Sequence, residues 1–146
     1  MSLTVFRGTA KLMEGMAVEC QSGDHRFVLD EPKELGGSDT GMNPIAATLC
    51  ALGACQAIVA SCYAKAKGIE LEEYWVEVEG DLDVRGFQGD KTVKPGIQAI
   101  RCKSHVKAKN SRAEIEEFVK FVEETCPVGD TIKNSASISS EIVIEG

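Results

Sequence analysis

Metal-ligand patterns are scarce in this sequence. Among 146 residues there are two histidines, His25 and His105, and no Cys-x-x-Cys pair, so a tetrahedral zinc site is not expected. Basic residues are also in short supply. Sixteen Lys and Arg face 23 Asp and Glu, for a net charge of −7 and a pI near 4.9. Nucleic acids and anionic membrane surfaces both require a basic face, so neither is an expected partner. No basic segment followed by an apolar run opens the chain, and no export signal is expected. Six cysteines without such a signal fit a reducing cytoplasm, where thiols stay free, bind metal or act in redox chemistry.

Charge is missing altogether from one long stretch. Between Asp39 and Lys65 there is no Asp, Glu, Lys or Arg, yet Cys50, Cys55 and Cys62 sit inside the run. Its length would allow a membrane span, but Ala, Cys, Gly, Ser and Thr dominate it over the Leu, Ile and Phe that drive insertion. Asn43 is a good N-cap, and Pro44 suits the first helical position. Lys65 and Lys67 suit the negative end of a helix dipole, and Gly68 suits the left-handed residue beyond it. A helix over 44–67, apolar on all sides, reads as a buried central helix.

The flanking segments alternate instead. TVFRGTA, GMAVEC and HRFVLD read as three strands of a β-meander, with turns at Glu14-Gly15 and Ser22-Gly23-Asp24. In a strand over 72–84, Tyr74, Val76, Val78, Leu82 and Val84 share one face. Glu73, Glu77, Glu79, Asp81 and Asp83 line the other. A strand around 97–108 carries Arg101, Lys103, His105 and Lys107 on one face, so the two are expected to pair with opposite charges across the ladder. Ser111 and Glu114 form a capping box ahead of an amphipathic helix bearing Ile115, Phe118, Val119 and Val122. A short helix after Pro127 and a last strand, SISSEIVIE, complete the chain.

The expected fold class is α+β, with antiparallel sheets around the central helix in the order βββ-α-ββ-α-β. One domain is expected over 1–146, made of the meander (1–40), the helix (44–67) and an α/β portion (70–146). Covering a helix that is apolar all round exceeds what a chain of this size easily supplies, which predicts an obligate homodimer.

Four cysteines have plain readings. Cys20 is an incidental thiol at a strand end, Cys102 a small buried hydrophobe, and Cys50 and Cys62 fill an apolar helix. Cys55 and Cys126 stand out. Cys55 follows Gly53, which costs about 1 kcal/mol against alanine in mid-helix and makes sense where a backbone or ligand comes close. Cys126 precedes Pro127 at a helix start, where N–H groups and the dipole are expected to lower a thiol pKa.

At these residues the chain resembles the OsmC/Ohr family, the osmotically inducible and organic hydroperoxide resistance proteins. The resemblance rests on NPIAATLCALGACQ (43–56) and on CPVGDTI (126–132) after a capped amphipathic helix, and it extends over essentially the whole chain. It implies an OsmC-like fold, an intertwined homodimer with the site at the dimer interface, and a thiol peroxidase. Cys55 matches the peroxidatic cysteine and Cys126 the resolving one. Organic hydroperoxides would be the substrates and an external dithiol the reductant, with no bound cofactor. Leu49, Leu52, Ile58 and Phe118 would suit an alkyl tail.

Cys55 lies about three turns into its helix, too far for the dipole to activate it, so a cation is expected to do so. The peroxidase branches use an arginine held by a glutamate just after Asn-Pro; here those positions are Ile45 and Ala46. Arg26 is the best counterpart of the arginine, with Arg7 and Arg85 as further candidates. Three readings follow: the peroxidase, a non-enzymatic module that binds a hydrophobic small molecule or senses oxidant, and persulfide or thioester chemistry on the same thiols. Two helical turns separate Cys55 from Cys62 by about 10 Å, which disfavours a disulfide between them.

Overall fold

A computed structural model describes all residues from Met1 to Gly146. Its elements are β1 (Thr9–Leu12), β2 (Val18–Ser22), β3 (His25–Leu29), α1 (Pro44–Tyr63), β4 (Leu71–Asp81), β5 (Ala99–Ala108), α2 (Arg112–Thr125) and α3 (Pro127–Lys133). Two compact units divide the chain, Met1–Cys50 and Ala51–Gly146, and the division falls within α1.

In the first unit β1, β2 and β3 form an antiparallel meander, turned by Gly15 and Gly23 at φ +67° and +59°. β1 starts at Thr9, later than the alternation from Thr4 suggested, because β2 pairs with it only from Val18 to Gln21. The loop after β3 is organised by one carboxylate. Asp30 is 1% exposed and accepts hydrogen bonds from the backbone N–H groups of Glu31 (2.7 Å), Ser38 (3.4 Å) and Thr40 (3.2 Å). The Thr40 hydroxyl adds a fourth at 2.6 Å. Gly41 closes the loop where a side chain would run into the Val28 carbonyl. Asn43 then caps α1, its Oδ1 accepting from the Ala46 N–H at 2.8 Å.

The second unit is built on the β4–β5 ladder. Its register sets Glu73 opposite Lys107, Glu77 opposite Lys103 and Glu79 opposite Arg101, the charge pairing expected from the alternation. Arg101 reaches both Glu79 and Asp81 at 2.8 Å, and Lys103 reaches Glu77 at 3.9 Å. These groups are exposed, and solvent screens each pair. Their larger effect is on register, since a one-residue slip would take the carboxylates off their basic partners and turn Val76 and Val78 outward. Beside them Trp75 stacks flat on His105, with ring centroids 3.9 Å apart.

The inner face of β4 receives α1. A Cβ placed on Gly53 would lie 3.2 Å from Val78 Cγ2 and 3.6 Å from Val76 Cβ, so the glycine lets helix and strand approach closely. Val59, Ala60, Ala64 and Ile69 form the core with Phe118 and Val122 of α2. α2 begins with the expected capping box. The Ser111 hydroxyl accepts from the Glu114 N–H, and the Glu114 carboxylate accepts from the Ser111 N–H, both at 3.2 Å. α1 ends at Tyr63 and unwinds through Gly68, which adopts φ +70°.

Two expectations end differently. The strand expected over 137–145 does not form: 135–146 pair with nothing, and Ile138, Ile142 and Ile144 are 86–91% exposed. A strand needs a neighbouring edge for its N–H and C=O groups, and this segment finds none within the chain. Nor is α1 covered on all sides. Leu52, Gly53, Gln56, Val59 and Ala60 are buried, whereas Ala51, Ala54, Ile58, Ser61 and Cys62 are exposed without a charge among them. By length and composition α1 could cross a membrane.

The Asp30 cradle has a consequence for acid stability. Its hydrogen bonds, led by that from the Thr40 hydroxyl, hold the carboxyl at about 2, below the ordinary 3.8. A depressed folded-state pKa stabilises the fold above about pH 3.8, and that contribution is lost as pH falls through about 2. Asp30→Asn should therefore lower the melting temperature at pH 7 and flatten its decline between pH 4 and pH 2 (the window those two pKa values define). Thermal melts across that range check it, and an unchanged acid limb would show that the cradle is not the titrating element.

Candidate functional site

Cys55 lies about three turns into α1, on the side that meets the core cluster, and is partly buried. Cys126 lies between α2 and α3. Pro127 forces the backbone out of the helix there, so Cys126 is at once the C-cap of α2 and the N-cap of α3, at φ −67° and ψ 113°. Its Sγ accepts a hydrogen bond from the Gly129 N–H at 3.3 Å. The side chain is 1% exposed.

Both residues belong to the second unit, and their side chains are neighbours as free thiols. The neighbouring Cys55 thiol disfavours ionisation of Cys126. Cys126 departs from the expectation of a lowered pKa. Burial raises it most; the Gly129 N–H pulls it down, the neighbouring Cys55 thiol pushes it up again, and the Val128 N–H lowers it least. The N–H groups at the start of α3 do not offset the loss of water, so Cys126 holds its proton.

The arginines are placed as follows. Arg26 lies on β3 opposite Gln21, in the first unit, exposed and without an ion pair. Arg7 precedes β1 and is likewise unpaired. Arg85 is held by Asp83, Arg101 by Glu79 and Asp81, and Arg112 by Glu116. Ile45 and Ala46 occupy the first turn of α1, which contains no acidic residue.

Cys50 and Cys62 are exposed on α1. Cys102 is exposed too, rather than the buried hydrophobe its alternation with Ile100 suggested. It still contacts the side chain of Gln56, whose Nε2 lies 3.9 Å from its Sγ. Gln56 closes the stretch 43–56 that carries the resemblance but was given no role there, and it is 4% exposed. The one available signal was its place as a lone carboxamide within an uncharged helix.

Neighbouring free thiols, one buried and one partly buried, on an antiparallel α+β frame define a two-thiol protein of mixed architecture. The chain belongs to the OsmC-like protein family, whose sequence pattern matches residues 36–141. It is 27% identical over 137 residues to the hydroperoxide reductase of Mycoplasma genitalium, covering 93% of this chain and 92% of that one. It is 28% identical over 135 residues to the hydroperoxide reductase of Mycoplasma pneumoniae, covering 92% and 91%. The crystal structure of an OsmC-like protein from Mycoplasma pneumoniae superposes with a TM-score of 0.79, at 28% identity over 90% of this chain and 89% of that one. The fold expected from the sequence is thereby established.

If Cys55 helps keep the proton on Cys126, then Cys55→Ala should move the Cys126 titration to lower pH. The pH dependence of Cys126 alkylation, followed by mass spectrometry in both proteins, checks this. Superimposable profiles would mean that the thiols do not interact.

Proposed function

We propose that this protein is a thiol-dependent hydroperoxide reductase in which Cys55 is the peroxidatic and Cys126 the resolving cysteine. The observation that carries the reading is the placement of these two free thiols side by side, the buried one keeping its proton. The naming of the two Mycoplasma relatives as hydroperoxide reductases supports it.

In this cycle the Cys55 thiolate attacks the terminal oxygen of ROOH. The O–O bond breaks, sulfur gives up two electrons, and the alkoxide leaves to take a proton as ROH. Cys55 becomes a sulfenic acid. The Cys126 sulfur then attacks the Cys55 sulfur, its proton goes to the departing hydroxide as water, and a disulfide forms. An external dithiol, as a reducing cytoplasm provides, is oxidised to its own disulfide and restores both thiols. The cycle calls for no bound cofactor. The apolar surroundings of Cys55, with Leu52 and Phe118 buried nearby in the same unit, favour organic over hydrogen peroxide.

Arg26 is the cation we assign to Cys55. Like Arg7, and unlike Arg85, Arg101 and Arg112, it has no carboxylate partner to neutralise it, and of the two it is the better counterpart of the family's arginine. The absence of an acidic residue in the first turn of α1 favours a second reading, a non-enzymatic module that binds a hydrophobic molecule. One equivalent of cumene hydroperoxide decides between them. The enzyme forms a Cys55–Cys126 disulfide within seconds, seen in a non-reduced peptide map. Cys55→Ser should abolish that disulfide, and Arg26→Gln should slow it at least tenfold. Free thiols after several minutes would rule out the peroxidase and favour the binding module.

The exposed, uncharged face of α1 supports a homodimer in which a second copy covers it. Sedimentation equilibrium should give a dimer, and Ile58→Asp, placing a charge where the side chain is 63% exposed in one chain, should give monomers. A monomeric wild type would rule the dimer out.

A further inference from the structure

One thiol of the second unit has no part in the cycle above. Cys102 lies on β5 opposite Val78, on the face of the ladder that receives α1, and it is exposed. It lines a cavity of about 500 Å3 whose wall also includes Leu52 and Gly129. The same two residues adjoin Cys126. The Gly129 N–H donates to Cys126 Sγ at 3.3 Å, and a Cβ on Gly129 would lie 3.6 Å from both that sulfur and Leu52 Cδ1. Between the buried thiol and the cavity, Gly129 contributes backbone alone.

Tyr74 places the two sulfurs in one neighbourhood. Burial raises its phenol most, the Ser104 hydroxyl lowers it, and Glu123, Cys102 and Cys126 raise it further, so both sulfurs lie within electrostatic range of one hydroxyl. The thiol pair also has a difficulty of access. Cys126 is 1% exposed and Cys55 only partly exposed, so a disulfide between them offers an external dithiol little to attack. An exposed thiol next to Cys126 removes that obstacle. The helix that carries Gly129 can yield to bring the sulfurs together: of the seven residues of α3 only Gly129 is buried, so its first turn shifts at small cost.

We propose that Cys102 is a third redox thiol, which takes the disulfide over from Cys55 and presents it to the external dithiol at the cavity. The Cys102 thiolate attacks Cys126 Sγ. The Cys55–Cys126 bond breaks, and Cys55 leaves as a thiolate that recovers the proton Cys102 gave up. A thiolate of the dithiol then attacks Cys102 Sγ, and Cys126 leaves and takes the proton. The dithiol's second sulfur displaces Cys102 and closes the reductant's own disulfide, so two electrons pass from dithiol to protein. The relay rests on the peroxidase reading for the source of its first disulfide; the nearness of Cys102 to Cys126 does not.

Diamide, which joins thiols without a peroxide, tests both parts. In Cys55→Ser, its fold verified by circular dichroism, a non-reduced peptide map after diamide should show Cys102–Cys126 as the main disulfide. In a second arm diamide forms the Cys55–Cys126 disulfide in the unsubstituted protein and in Cys102→Ser, and reduction by dithiothreitol is followed by alkylation and mass spectrometry. The unsubstituted protein should pass through a transient Cys102–Cys126 link, and Cys102→Ser should be reduced about tenfold more slowly. No Cys102–Cys126 disulfide in the first arm, no Cys55–Cys126 disulfide in the second, or reduction of Cys102→Ser at the unsubstituted rate would each overturn the proposal. Neither arm contains a hydroperoxide, so a protein inert to cumene hydroperoxide would lose the peroxidase reading and still give a result here.

Discussion

The close approach of α1 to β4 at Gly53 is the contact on which the second unit depends. An uncharged helix gains nothing from water along its length, so its inner face must be buried, and the depth of burial is set by how near the strand can come. With no side chain on Gly53, Val76 and Val78 pack against the helix at van der Waals distance. That seating determines which residues of α1 point inward: Leu52, Gln56, Val59 and Ala60 become buried, and Cys55 is left partly covered at the edge of the core. The ion-paired outer face of the β4–β5 ladder supports the same arrangement from behind, because the alternative registers would forgo its ion pairs.

The thiol pair follows from that seating together with one proline. Pro127 ends α2 and starts α3 at the same residue, which turns the chain at Cys126 and buries its sulfur among groups already fixed by the core. The result is an asymmetric pair. One thiol has lost its water and holds its proton, and the other sits where a small molecule can reach it. Asymmetry of this kind suits a two-step reaction, in which one sulfur attacks and the second waits.

Local patterns in the chain were reliable guides wherever the physics was local. The capping box at Ser111 and Glu114, the left-handed Gly68 and the charge pairing of Glu77 with Lys103 all depend on residues a few positions apart or on strict alternation. Expectations failed where the outcome depended on distant neighbours. The ionisation of Cys126 could not be judged from Pro127 and the helix dipole, because burial by other elements dominates it. The last strand could not be judged from the alternation of Ile138, Ile142 and Ile144, because a strand also requires an edge to pair with.

By itself, then, the sequence determined the order of the elements as far as α3, the central place of an uncharged helix, and the two cysteines worth singling out. These follow from periodicity, capping and composition, which act over a few residues. Only the tertiary structure decided that Cys55 and Cys126 are neighbours, that Cys126 keeps its proton, and that Gln56 is a buried carboxamide facing a cavity. Those properties belong to no residue alone; they arise when folding removes water from one group and sets another within reach of it.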